Sequence, residues 1–154
     1  MAGFSVYRGF GKMSRYAAFM AGNARKTKNK RVVISKRMTD PQTGQPAEWE
    51  IRLLTAGENE EIQRRCMVNV PVPGQNGVYD RQLDHQSYVG EMAAACVVHP
   101  ELNDAELQDS YGVKSARALL WAMLEPKEYL LLVSEVTALG AMETLGSLVD
   151  EAKN

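Results

Sequence analysis

The sequence predicts a mainly α fold with a small β-hairpin. In this α+β arrangement an N-terminal short helix and an antiparallel hairpin precede a compact bundle of about five helices. Three observations carry that expectation. Residues 48–54 alternate, with Trp49, Ile51 and Leu53 on one side and Glu48, Glu50 and Arg52 on the other. Period two with β-branched and aromatic residues marks a strand with one buried face. From Thr55 onward, capping residues recur ahead of apolar positions at helical spacing. Ala118 to Leu124 is apolar nearly all round, which places that helix in the middle of a core.

Met1 to Lys12 is rich in Gly and aromatics, has no period, and reads as a mobile terminus, so residues 1–13 are taken as a flexible extension. Residues 14–154 read as one domain. In it, 14–30 hold a short helix and a basic link, 31–55 the hairpin, and 56–154 the helical bundle. Ser14 can cap a short helix to about Ala21, with Tyr16, Phe19 and Met20 as its apolar side. Arg25 to Arg31 repels itself too strongly for a good helix and reads as an exposed link. Arg31–Met38 and Glu48–Leu54 form the hairpin around the turn formers Thr39 to Pro46.

Thr55 and Glu58 have capping-box spacing, and the helix they open is expected to run to about Val68. Val70 to Gly77, with two prolines and two glycines, cannot continue it and reads as a loop. Asp84 caps a helix with Tyr88, Met92, Ala95 and Cys96 on one face, which Pro100 stops. Asn103 to Glu106 reads as another capping box, and its helix ends at Tyr111-Gly112. Ser115 caps the apolar helix, Pro126 suits the first turn of the next, and Gly140 ends that one. Met142 to Lys153 reads as a last helix.

At 154 residues one domain buries roughly two-thirds of its unfolded surface, so a core needs no metal or disulfide. With 45% hydrophobic and 24% charged residues, the chain is not wholly disordered. No apolar run approaches the roughly 20 residues that span a bilayer. Two cysteines make no disulfide framework, which favours a reducing compartment. The net charge of −1 conceals an asymmetry: residues 1–39 carry ten Lys and Arg and no acid, whereas residues 40–154 carry a net −11. A basic head serves nucleic acid, an acidic partner, or the chain's own acidic body.

A search for chemistry returns little. Tyr7 to Lys12 fails as a P-loop, with Val6 in place of the first Gly and Met13 in place of the Ser/Thr. Arg8 to Gly11 opens like an RNA-recognition signature that Lys12, Met13 and Arg15 then break. Cys66, His85, Cys96 and His99 fit no standard zinc spacing. Glu58, Glu60 and Glu61 sit in a first helical turn, where acids favour the helix dipole. No residue is assigned to catalysis, metal or cofactor. The eight methionines suit gap-filling or adaptable surfaces, and Met20 and Met142 are the surface candidates. Partner contacts are therefore expected at Tyr16, Phe19, Met20 and Met142, since a short apolar helix behind a charged link can dock on a partner or a second copy.

The ordered string of pieces resembles a known family. Val33-Ile34-Ser35-Lys36-Arg37-Met38, Gly44-Gln45-Pro46, Trp49-Glu50-Ile51-Arg52-Leu53-Leu54-Thr55 and Leu83-Asp84 come first. His99-Pro100-Glu101-Leu102, Ala105 to Val113 and Leu124-Glu125-Pro126-Lys127-Glu128-Tyr129 follow. With the short helix near Tyr16 to Asn23 and the closing Glu151 to Asn154, they are similar, in one register over 13–154, to the XkdN-type phage tail assembly chaperones. Met1 to Lys12 departs from the pattern.

The resemblance implies a contractile-tail phage, prophage or tail-derived bacteriocin. It implies a non-enzymatic assembly factor of the bacterial cytoplasm, absent from the mature particle. Such a factor keeps the long helical tape measure protein soluble until the tail tube forms. The expected partners are the tape measure protein and the tail tube protein; self-association stays open, and no membrane or cofactor is expected. Related systems make a longer product by −1 frameshifting, and Ala152-Lys153-Asn154 can be encoded with a slippery heptamer. The competing readings are a nucleic-acid-binding module, lost on deleting residues 1–31, and a small enzyme with a deep polar pocket.

Overall fold

The computed structural model describes residues 14–140; the expected extension, the last helix and Met142 lie outside the described residues. Alternation at 49–53 places Trp49 and Ile51 inward, as the spacing requires, and both are buried. Strand β2 (Trp49–Ile51) pairs antiparallel with β1 (Lys30–Val32), Val32 opposite Trp49, and Thr39 bridges Pro46 farther along the hairpin. The other edge of β2 takes a third strand, β5 (Val97–His99), antiparallel, with Ile51 opposite Val97.

Helix α1 (Ala56–Arg65) opens with the expected capping box: Thr55 Oγ1 accepts from the Glu58 amide at 3.2 Å, and Glu58 accepts from the Thr55 amide at 2.9 Å. It ends at Arg65, short of the expected Val68. Met67 instead begins β3 (Met67–Pro71), which pairs along its length with β4 (Tyr79–Leu83) in a second, two-stranded sheet. The expectation that everything after residue 55 is helical is corrected here. Both faces of this ribbon are largely exposed, so neither strand carries the alternation that reveals a strand in a sequence. The expected loop survives as its turn, with Gly74 and Gly77 at φ of 77° and 76°.

Asp84 caps α2 (His85–Cys96), accepting from the Ser87 amide. Tyr88, Met92 and Cys96 are buried as the helical spacing requires. The helix stops at Cys96 rather than at Pro100, because Val97–His99 gains a ladder against β2. Asp104, not Asn103, caps α3 (Ala105–Ser110), its carboxylate accepting from the Leu107 amide at 2.9 Å. Ser115 caps α4 (Ala116–Met123), and Pro126 starts α5 (Pro126–Leu139), which Gly140 ends at φ 103°.

The buried cluster joins Trp49 and Ile51 of the sheet to Ile62, Met92, Ala93, Cys96, Leu119, Leu120, Leu132 and Val136 of the helices. Its central element is α2, which packs against α1, α4, α5 and β5. The apolar α4, expected in that place, buries Leu119, Leu120 and Met123 and leaves Trp121 half exposed. Small residues decide this: Gly90, Ala93 and Ala94 of α2 are buried and let neighbours approach, Gly90 most closely. The N-terminal helix expected over 14–21 reduces to one 3₁₀ turn, Ala17–Phe19, in which nothing is buried. Ser14 Oγ accepts from the amide of Tyr16, too early in the chain to open an α-helix. With no tertiary face to pack, so short a segment does not sustain a helix.

Candidate partner-binding surfaces

The segment 14–29 stands as an arm ahead of β1. Its backbone hydrogen bonds are internal, Ala17 to Ser14, Phe19 to Tyr16 and Ala24 to Met20 among them, with Asn23 Nδ2 donating to the Ala17 carbonyl at 2.7 Å. This knot holds Tyr16, Phe19 and Met20 outward, with Phe19 80% exposed. Three of the four expected contact residues are thus brought together on one turn. Arg15 lies over the Tyr16 ring at 5.3 Å, and Arg25, Lys26 and Lys28 follow.

Three further cations of the basic head pair with the chain's own acids. Lys30 pairs with Glu135 of α5 at 2.5 Å, and Arg31 with Glu50 at 3.8 Å. Arg37 donates to both carboxylate oxygens of Glu128, to the Met123 carbonyl at 3.1 Å, and pairs with Glu125. That bidentate bond holds the Glu128 carboxyl at about 2, far below its ordinary 4.5. Glu128 also accepts from the Glu125 amide, so one side chain both caps α5 and moors the hairpin to it.

A groove of about 420 Å³ lies between the β2–α1 connection, α1 and α2. Leu54, Gly57, Ile62 and Ala95 line it, and Glu58, Glu61 and Arg65 stand around them. Glu58 is engaged with Arg52 at 2.8 Å and with the helix cap, which together lower its carboxyl to about 2. Glu61 pairs with Arg64. Sequence reasoning missed this groove: Leu54 and Ala95 are distant in the chain, and only the packing of α1 on α2 brings them together. A second groove of about 520 Å³ runs along α3, lined by His99, Glu101, Asp104, Glu106, Leu107 and Ser110. Its signal was in the sequence, since no Lys or Arg stands between Arg81 and Lys114.

The residues weighed for other chemistry are dispersed. Cys66 and Cys96 are free and buried; burial raises the Cys66 thiol and pushes the Cys96 thiol up to about 11. His85 and His99 stand exposed at the start of α2 and the end of β5. Among the described residues, no three His, Cys, Asp or Glu converge as a metal site, and no helix is long and apolar enough to cross a membrane.

Comparison with known proteins fits this architecture. No curated protein matches the chain. A crystal structure of the protein YqbN is similar in fold, with a TM-score of 0.68 at 17% identity, covering 85% of this chain and 99% of that one. The family model of the phage XkdN-like tail assembly chaperone protein matches residues 16–153, the arm included. On that match, the chain belongs to the XkdN-like phage tail assembly chaperones.

Proposed function

We propose that this tail assembly chaperone binds the tape measure protein and keeps it soluble while the tail tube forms around it. The family match over residues 16–153 carries the reading, and the apolar groove between α1 and α2 supplies its physical means. A very long helix with apolar stripes cannot bury them alone and aggregates. A groove built from Leu54, Gly57, Ile62 and Ala95 suits one turn of such a stripe, in the helix-in-groove mode. Many copies, each holding one turn, cover a long partner reversibly and gain by avidity.

In this reading the protein is no enzyme. It acts in the bacterial cytoplasm on a contractile tail of a phage, prophage or bacteriocin, with the tail tube protein as a second partner, and is absent from the finished particle. Tyr16, Phe19, Met20 and Met142 are further partner contacts. A −1 frameshift near Ala152-Lys153-Asn154 supplies a longer second product.

Co-expression with the long helical reading frame of the same locus tests the proposal. The partner is expected to be soluble and to co-purify with the wild-type chain. It is expected to precipitate with A95E, which puts a carboxylate beside Glu58 and Glu61. A partner equally soluble with A95E, or without the chaperone, overturns it. Retention of a DNA or RNA duplex at moderate salt, lost with residues 1–31, supports the nucleic-acid reading instead.

A further inference from the structure

The charges of this chain are segregated in a way its own fold does not resolve. Residues 14–29 hold Arg15, Arg25, Lys26 and Lys28 and no acid. Among the described residues, none of these four makes an ion pair, nor does Lys36, whereas Lys30, Arg31 and Arg37 are paired. At the other extreme, residues 82–113 hold six acids and no Lys or Arg. Of these, Glu91 is paired with Arg65 and Arg117, while Glu101, Asp104, Glu106 and Asp109 make no ion pair among the described residues. The first three stand along the α3 groove, where half-buried Leu107 supplies an apolar wall.

An exposed Tyr-Phe-Met knot is thus flanked along the chain by four cations that make no ion pair among the described residues, and three acids in the same condition line a groove with room for an aromatic ring. Among the described residues no ion pair joins the two within one chain: the arm enters β1, one edge strand of the sheet whose opposite edge, β5, leads into α3. We infer that the arm of one copy docks in the α3 groove of a second copy, Phe19 and Met20 toward Leu107 and Arg25, Lys26 and Lys28 over Glu101, Glu106 and Asp109. Every copy offers one arm and one groove, so the contact is made reciprocally in a dimer or runs on head-to-tail. It uses a surface separate from the α1–α2 groove, gives Phe19 and Met20, proposed above as partner contacts, a second copy as their partner, and does not rest on the identity of the tape measure protein.

Sedimentation of the full chain at low and high salt is the test. The Debye length falls from about 10 Å at 0.1 M to about 3 Å at 1 M, so association is expected at low salt and a dissociation constant about tenfold or more weaker at high salt. Two charge-reversed variants sharpen it: R25E/K26E/K28E, and E101K/E106K. Each alone sets like charge on like and is expected to be monomeric. Mixed together they restore both contacts and are expected to associate as a heteromer. Asp104 is left intact because it caps α3, and an unchanged melting midpoint verifies each fold. A wild type that is monomeric at low salt, variants that associate on their own, or a mixture that stays monomeric overturns the inference. F19S at unchanged charge is expected to weaken association about tenfold, and no change there removes the knot from the contact.

Discussion

Gly90 is where a single methyl group tests the packing of the central helix. A Cβ at this position meets Arg117 Cδ at 2.9 Å, Arg117 Cγ at 3.0 Å and Trp121 Cζ2 at 3.1 Å, all on α4. Those distances are shorter than ordinary contact, and the atoms are not free to leave. Arg117 lies over the Trp121 ring at 5.0 Å and pairs with Glu91 at 3.5 Å. Two effects oppose one another in G90A. Replacing Gly by Ala inside a helix stabilises by about 1 kcal/mol, while overpacking a close contact costs about 1–3 kcal/mol. The net expectation is a destabilisation of about 0–2 kcal/mol.

The sign alone is a weak test, so the cycle matters. In an R117A/W121A background the obstruction is gone, and the same G90A change is expected to stabilise by about 1 kcal/mol. The coupling between the sites is then about 1–3 kcal/mol, read from urea unfolding midpoints with slopes held constant. A coupling under about 0.5 kcal/mol, within the additivity expected of independent sites, refutes the argument that Gly90 exists to let α4 approach α2.

Two further outcomes follow from the site electrostatics. The Glu58 carboxyl is held at about 2 by Arg52 and the helix cap, against an ordinary 4.5. A lowered folded-state value stabilises above pH 4.5, and the contribution disappears as pH falls toward 2. E58Q is therefore expected to lower stability at pH 7 and to flatten the acid limb of the stability curve. The partial exposure of the pair limits its size to about 1 kcal/mol or less, and an acid limb identical to wild type refutes it. The buried thiols, with Cys96 raised to about 11, are expected to resist a thiol reagent at pH 8 until urea unfolds the chain. Rapid labelling of both in the native protein contradicts their burial.

Local chemistry determined a good part of this protein from the sequence alone. The hydroxyl of Thr55 and the carboxylate of Glu58 satisfy amides three residues away, so α1 announces its own start. The same holds for Ser115, Asp84 and Pro126, and for Gly112 and Gly140 at positive φ. Trp49 and Ile51 were legible because one side of β2 is buried and the other is not. The exposed knot of Tyr16, Phe19 and Met20 was legible as apolar, though not as a 3₁₀ turn. Tertiary structure alone decided the rest. Met67–Pro71 is a strand because Tyr79–Leu83 lies beside it, and Val97–His99 because β2 offers an open edge; neither partner is written in the segment itself. Which helix is central was settled by Gly90, Ala93 and Ala94, whose small size gains meaning only when α4 arrives. The α1–α2 groove belongs to the same class, since Leu54 and Ala95 come together only when the two helices pack, whereas the α3 groove is lined from one stretch, His99 to Ser110.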